Sequence, residues 1–546
     1  MRRIKLLRCL LLLSVATTVT AKPVIYPHSV VNAASFFSPG LPAGSIAEGS
    51  IFSLFGTGLG PAQGMQQSAF PLTTTLAGVS IQVKQGATSV SALPLFVVAG
   101  QVNALMPSNT PLGWVSVWVN YNGQQSNPSP VFIVHDSPGI FTATGTGIGP
   151  AAVQNAINAT SVVPNSNQAS AKPGQTEVLY LTGLGPISAP DNQPAPAGNL
   201  ATAVEVWVGG ISAAVAYSGR SPCCSGLDQI DFVVPPNAPQ GCWVPVAVRT
   251  SNVTIANYVS MAIDPTGAPC SDPSNTLSAA IVKGGPLGEL TLTRIVVHED
   301  VGVNAAVDVS NDFATYAATN QPGGQFAFTP FLSTPPVGTC TVYPGVGDFF
   351  DFGQIPQGVI PNLNSATQLS ISGQGTSQNA SLTNSAAVLG SSLPLYSLPN
   401  LLYLNAGTYS VSGSAGSDVG AFMASVVVPS ALTWINQDQI TIVNRSQPLM
   451  LTWTNGGSQP VGIMGIGSDL PTNSSALFLC LATPGSITFA VPPQVLSALP
   501  PSQPDPLKSK SVIYLVSSTA STFMANGLNS GFASGVYIAG KTVILQ

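Results

Sequence analysis

Three close pairs of carboxylates, Asp228/Asp231, Glu299/Asp300 and Asp348/Asp351, stand in a chain otherwise poor in charge. Paired carboxylates suit two tasks: acid and base work on a glycosidic bond, and oxygen coordination of calcium. Spacing alone does not choose between them. With Glu289 and Asp312, the later acids are the set an extracellular polysaccharide-acting hydrolase would use. Other reaction chemistry is thinly provided. There is no G-x-S-x-G, and the histidines His28, His135 and His298 are scattered singly, so no serine nucleophile has an obvious base. Without C-x-x-C or paired histidines a metal site is not expected, and no cofactor is implied. Gly56-Thr-Gly-Leu-Gly and Gly145-Thr-Gly-Ile-Gly are G-x-G-x-G, with no Lys-Ser/Thr and no helix pattern after them. Turn glycines with positive φ explain them better than a phosphate loop.

Six tryptophans offer a different chemistry, because exposed indoles stack on the apolar faces of sugar rings. Trp114, Trp207, Trp243, Trp434 and Trp453 are expected mostly in cores. Trp118 is the candidate surface contact, since it alternates out of phase with Val115, Val117 and Val119.

Residues 1–21 read as a secretory signal peptide. Arg2, Arg3, Lys5 and Arg8 precede the apolar run Leu10 to Val15, and Val19-Thr-Ala21 is a small-residue cleavage site. The run is far short of the roughly 20 residues that span a bilayer, and no other stretch reaches that length. Export predicts a secreted or cell-surface location and an oxidising environment. Removing four of fifteen basic residues takes the formal net charge from −5 to −9, with 11 basic against 20 acidic residues. The mature chain keeps Cys223, Cys224, Cys242, Cys270, Cys340 and Cys480, an even number that favours disulfides. Cys340 and Cys480 are the only two in the last region and should pair. Strand directions put Cys242 and Cys270 at one end of a sheet and leave Cys223 to Cys224. The alternative joins one vicinal cysteine to Cys242 and the other to Cys270.

The chain has 546 residues, enough for three or four domains, of which 45% are hydrophobic and 6% charged. That balance excludes disorder, which needs low hydrophobicity and high charge, and nucleic-acid binding, which needs a basic face. Gly49-Ser-Ile-Phe-Ser-Leu-Phe-Gly-Thr-Gly-Leu-Gly-Pro61 aligns without a gap on Gly174-Gln-Thr-Glu-Val-Leu-Tyr-Leu-Thr-Gly-Leu-Gly-Pro186, matching at seven of thirteen positions. Gln101-Val-Asn recurs as Gln229-Ile-Asp, which predicts a tandem pair of whole domains over 26–136 and 138–265. In that alignment Asp228 and Asp231 fall where the first unit has Gly100 and Asn103, so a solvated strand edge is their expected setting. Short runs of period two, such as Ile51–Phe55, Val79–Val83, Val102–Met106 and Val115–Asn120, are strands punctuated by Gly, Pro and Asn. The fold class is all-β: two immunoglobulin-like sandwiches, a linker over 266–280, and a β-rich region over 281–546. In that region 407–413, 421–428, 439–443 and 449–454 are strand-like, Asn455-Gly-Gly is a hairpin turn, and 491–500 is a short helix. The Ser/Asn/Gln/Gly-rich stretch 362–392 is a long surface loop or a divider between subdomains.

The duplicated Thr-Gly-Leu-Gly-Pro resembles the IPT/TIG group of immunoglobulin-like domains. With Val31-Asn-Ala-Ala-Ser-Phe, Gly100-Gln-Val-Asn-Ala, Ser137-Pro-Gly-Ile-Phe-Thr, Lys172-Pro-Gly and Asp228-Gln-Ile-Asp-Phe-Val-Val-Pro, residues 28–265 are similar to a family of exported proteins abundant in Solibacter-type acidobacteria. The resemblance implies an extracellular or cell-surface β-module and supplies no catalytic residues. Together the residues point to a non-enzymatic adhesion, binding or spacer protein, its partner a glycan or a surface protein. The alternatives are the hydrolase above and a self-assembling matrix or filament subunit.

Overall fold

A computed structural model describes residues 22–546 except 159, 252–253, 303–304, 347–359, 389–390, 398–401 and 504–510. The signal peptide over 1–21, together with Asp348 and Asp351, lies outside the described residues. The chain is all-β, with two short α-helices, Ser278–Lys283 and Pro493–Leu496, among the described residues.

The first unit is built from β1 (Val24–Asn32), β2 (Ile51–Thr57), β3 (Val79–Gln85), β4 (Thr88–Val98), β5 (Gln101–Leu105), β6 (Gly113–Tyr121) and β7 (Ser129–Val134). They pair in the order β1-β2-β5-β4-β3-β6-β7. Strand β4 serves both layers of the sandwich: residues 88–92 pair with β3, and residues 93–98 pair with β5 across a bulge after Pro94. Val79, Ile81 and Val83 lie beside Val115, Val117 and Val119 of the neighbouring strand on one inner face, as the period of two dictates.

The second unit repeats this plan with β8 (Val153–Asn158), β9 (Thr176–Thr182), β10 (Val204–Val208), β11 (Ile211–Arg220), β12 (Asp228–Val233), β13 (Gly241–Thr250) and β14 (Val259–Ile263). The order is β8-β9-β12-β11-β10-β13, with β14 on β13, and β11 changes layers between Ala213 and Ala214. Gly58 and Gly183 occupy the same turn, both with positive φ, and the leucine after each is fully buried. The 266–280 stretch, expected as a linker, is pinned to this sandwich: Cys270 bonds Cys242 and its N–H donates to Asn167 O at 3.0 Å.

The last region is organised by a long hairpin, β15 (Gly285–Gly302) and β16 (Ala305–Gln321). It continues through β17 (Cys340–Val346), β18 (Gln368–Gly373), β19 (Thr376–Val388), β20 (Ser391–Ser397), β21 (Gly407–Gly413), β22 (Phe422–Val428), β23 (Leu449–Thr454), β24 (Gly462–Asp469), β25 (Ser474–Leu481), β26 (Thr488–Val491), β27 (Ser511–Ser518), β28 (Ser521–Phe523) and β29 (Ser530–Thr542). One sheet runs β17-β25-β24-β27-β29-β15-β16-β20-β19-β18-β21-β22, with β28 on β29. Its far end curls back on itself. The hydroxyls of Thr519 and Ser521 donate to the edge carbonyls of Val427 and Ser425 on β22, so that edge is covered by side chains and not left as a bare ladder. Inside the curl, Tyr316, Phe422 and Phe523 pack ring on ring.

Three expectations are corrected here. The 362–392 stretch is not a long loop: Gln368–Gly373 and Thr376–Val388 form a hairpin, because Leu369 and Ile371 alternate inward and Gln374-Gly375 takes the paired positive φ of a two-residue turn. Asn455-Gly-Gly joins no hairpin, since β23 pairs with Thr433–Trp434 and β26 whereas β24 pairs with β25 and β27. The strand expected over 439–443 shrinks to Ile442–Val443, because Gln437–Gln439 closes a 3-10 turn. A large core then binds the units together, taking Phe37, Leu41 and Ala43 from the first and Ala247, Ile255 and Tyr258 from the second.

Candidate functional site

The outer face of the first sandwich is where the structure exposes chemistry. On β6 the valines turn inward, so Trp114, Ser116, Trp118 and Asn120 line the other side. Cross-strand partners extend that face: Phe132 stands opposite Trp114, Gln82 opposite Trp118, and Lys84 opposite Ser116. Trp114 is 65% exposed and Phe132 40%, and their rings meet edge to face at 5.2 Å. Trp118 is half-buried beneath Lys84, whose Nζ lies 5.5 Å from its ring centroid. Four residues of strand separate the two indoles, about 13 Å along the sheet. Gln85 Nε2 donates to the carbonyls of Leu112 (2.8 Å) and Trp114 (3.2 Å), fixing the backbone that carries the exposed indole. Trp114, expected in the core, is therefore a correction. Its signal was present in the sequence: it shares the parity of Trp118.

The same face of the second sandwich has the opposite fate. Val115 pairs with Val131 and Val244 with Met261, so the residues just before, Trp114 and Trp243, are equivalent. Trp243 is 1% exposed, packs with Ile281 and Ala327 of the last region, and donates its indole N–H to Ala327 O at 3.0 Å. Trp207, opposite Ala247, lies against the shared core and carries the Arg249 guanidinium 4.9 Å from its ring. One copy of the face is sealed by the chain itself and the other is left open.

Among the described residues, Asp228, Asp231, Glu289, Glu299 and Asp312 are not brought together as one group. Asp228 is fully buried and ion-paired with Arg220, and it accepts the Leu184 N–H at 2.8 Å. Desolvation raises its pKa and the guanidinium lowers it. This overturns the solvated strand edge expected for Asp228. Arg220 also donates to Gly49 O (2.8 Å) and Gly185 O (2.7 Å), so the pair clamps the two sandwiches together. Asp231 accepts from Gln229 Nε2 at 2.8 Å. Asp312 accepts both guanidinium arms of Arg294 at 2.7 Å and the N–H groups of Tyr403 and Leu404, a fully satisfied structural carboxylate. Glu289, pushed up to about 7 by desolvation, and Glu299 are ten positions apart on β15, about 33 Å. The side chain of Asp300 lies outside the description. No cluster of His, Cys, Asp or Glu that could hold a metal ion occurs among the described residues.

The six cysteines form Cys223–Cys224, Cys242–Cys270 and Cys340–Cys480, with Cα separations of 3.8, 5.2 and 4.0 Å. Cys340 and Cys480 are direct partners across β17 and β25. The vicinal pair is exposed, in the loop between β11 and β12. No described helix is long and apolar enough to cross a membrane.

No protein-family model matches the chain, and no curated protein sequence is similar to it. Among solved structures, it is similar to a Bacteroides ovatus SGBP-B from a mixed-linkage glucan utilization locus, in complex with a mixed-linkage heptasaccharide (10% identity, 87% of this chain and 90% of that one, TM-score 0.14). It is also similar to an SGBP-B from a complex xyloglucan utilization locus in Bacteroides uniformis (12%, 69% and 86%, 0.17) and to domains 5–6 of the S-layer protein SbsC (9%, 45% and 99%, 0.15). Scores this low identify no relative.

Proposed function

We propose that the protein is an exported, non-enzymatic binding module that holds neutral glycan on the open face of its first sandwich. The observation that carries this reading is the exposure of Trp114 and Phe132 on a sheet face that also presents the neutral hydrogen-bonding side chains Ser116, Asn120 and Gln82. Indole and phenyl faces would stack on sugar rings, and the amides and hydroxyl beside them would hold ring hydroxyls. Lys84, over Trp118, adds a cation to this face. An interaction surface for another protein is the competing occupant, since the equivalent face of the second sandwich docks the chain's own last region. Affinity electrophoresis of residues 22–546 in gels of neutral polysaccharide tests the proposal. Retardation by at least one polymer is expected, with Trp114→Ala weakening it more than tenfold. The reading fails if no neutral polymer retards the protein, or if Trp114→Ala and Phe132→Ala migrate as the parent does.

A further inference from the structure

A cleft of about 450 Å³ opens where the second sandwich meets the last region, within the roughly 300–1,000 Å³ of small-molecule sites. Its walls are the loop carrying Thr144, Thr146 and Ile148 and the segment carrying Gln325, Phe326 and Phe328. The loop is the second Gly-x-Gly-x-Gly of the chain, and its glycines have a steric reason. Gly145, Gly147 and Gly149 all take positive φ. A Cβ on Gly147 would lie 2.5 Å from Ser35 O of the first sandwich, and one on Gly149 would lie 2.7 Å from the Phe328 ring. The glycines thus let the loop wedge between neighbours and seat Phe328 in the cleft wall.

The polar groups have a definite sense. Thr146 Oγ1 donates to Ile148 O at 2.9 Å, so its proton is used, and the 2.9 Å contact with Thr144 Oγ1 has Thr144 donating to it. The lone pairs of Thr144 Oγ1 then remain for an incoming O–H, and none of the described side chains lining the cleft is charged. Aromatic walls and hydroxyl acceptors are complementary to an uncharged ring with an apolar face and O–H donors, whereas a carboxylate or phosphate would find no cation among the described lining residues.

We propose that this cleft is a second binding site, taking one end or branch of a neutral saccharide, separate from the open face of the first sandwich. Saturation-transfer NMR on residues 22–546 tests it with cellobiose, maltose and mannobiose as probes and digalacturonic acid as the charged control. The expected result is saturation transfer to at least one neutral disaccharide and none to the control. In a Trp114→Ala protein, which removes the open-face contribution and should still show transfer from the cleft, Thr144→Val, an exposed near-isosteric change, should weaken binding at least fivefold, and Phe328→Ala at least tenfold. The proposal is overturned if no neutral disaccharide shows transfer, if digalacturonic acid binds as well, or if Trp114→Ala alone abolishes the signal. In that last case the disaccharide sits on the open aromatic face.

Discussion

Glu177 offers the sharpest test of the packing argument. It stands on β9 at the position that Phe52 holds on β2, pointing into the core of the second sandwich with Leu179 and Leu181. It is fully buried, and neither carboxylate oxygen has a hydrogen-bond partner. Desolvation pushes its pKa up from 4.5 to about 9. The folded state therefore holds this proton more tightly than the unfolded chain does. Stability is unaffected well below pH 4.5, falls by about 1.4 kcal/mol for each pH unit between 4.5 and about 9, and is level above that. From pH 4.5 to pH 7 the cost grows by about 3 kcal/mol, which is more than a hundredfold in the opening equilibrium. Glu177→Leu removes the ionisable group and keeps the volume apolar. Amide hydrogen exchange of the 176–182 segment, compared between the two proteins at equal pH, cancels the intrinsic pH dependence of exchange and reads the opening of this sandwich. The ratio of wild-type to variant exchange rate should rise more than a hundredfold between pH 4.5 and 7. A ratio that stays constant with pH would refute the reasoning, because Glu177 would then ionise as freely folded as unfolded.

Arg220→Met should cost about 3–5 kcal/mol by stranding the buried Asp228, while Arg220→Met with Asp228→Leu should recover most of it; thermal unfolding of the three proteins decides, and equal losses would mean the pair is not coupled. Replacing Cys340 and Cys480 by serine releases a link across 140 residues and should lower stability by about 2–5 kcal/mol; an unchanged denaturation midpoint would show that the strand pairing alone holds that edge. Gly183→Ala should destabilise well beyond Gly145→Ala, since a Cβ at 183 would lie 2.1 Å from Ser137 O whereas one at 145 meets open space; similar midpoints would contradict the close approach.

Alternation of valines with polar residues was enough to read the all-β class, because a sheet with one buried face imposes a period of two wherever it occurs. The repeated Gly-to-Pro segment likewise carried the recurrence of one strand order, and the parity of β6 put Trp114 and Trp118 on a single face. Local spacing could not show which copy of that face would be covered. Trp114 and Trp243 hold equivalent positions, yet one is 65% exposed and the other 1%. What separates them is Ile281 and Ala327, 38 and 84 residues beyond Trp243, which fold onto the second sandwich and not the first. The same holds for the acids. Asp228 is buried beneath Arg220, which the Gly49 carbonyl of the other sandwich holds in place, and Glu177 is orphaned because its neighbours are core residues drawn from several strands. The residue types and their periodicity are properties of the sequence by itself; desolvation, and with it the choice of which aromatic and which carboxylate can act, belongs to the long-range packing.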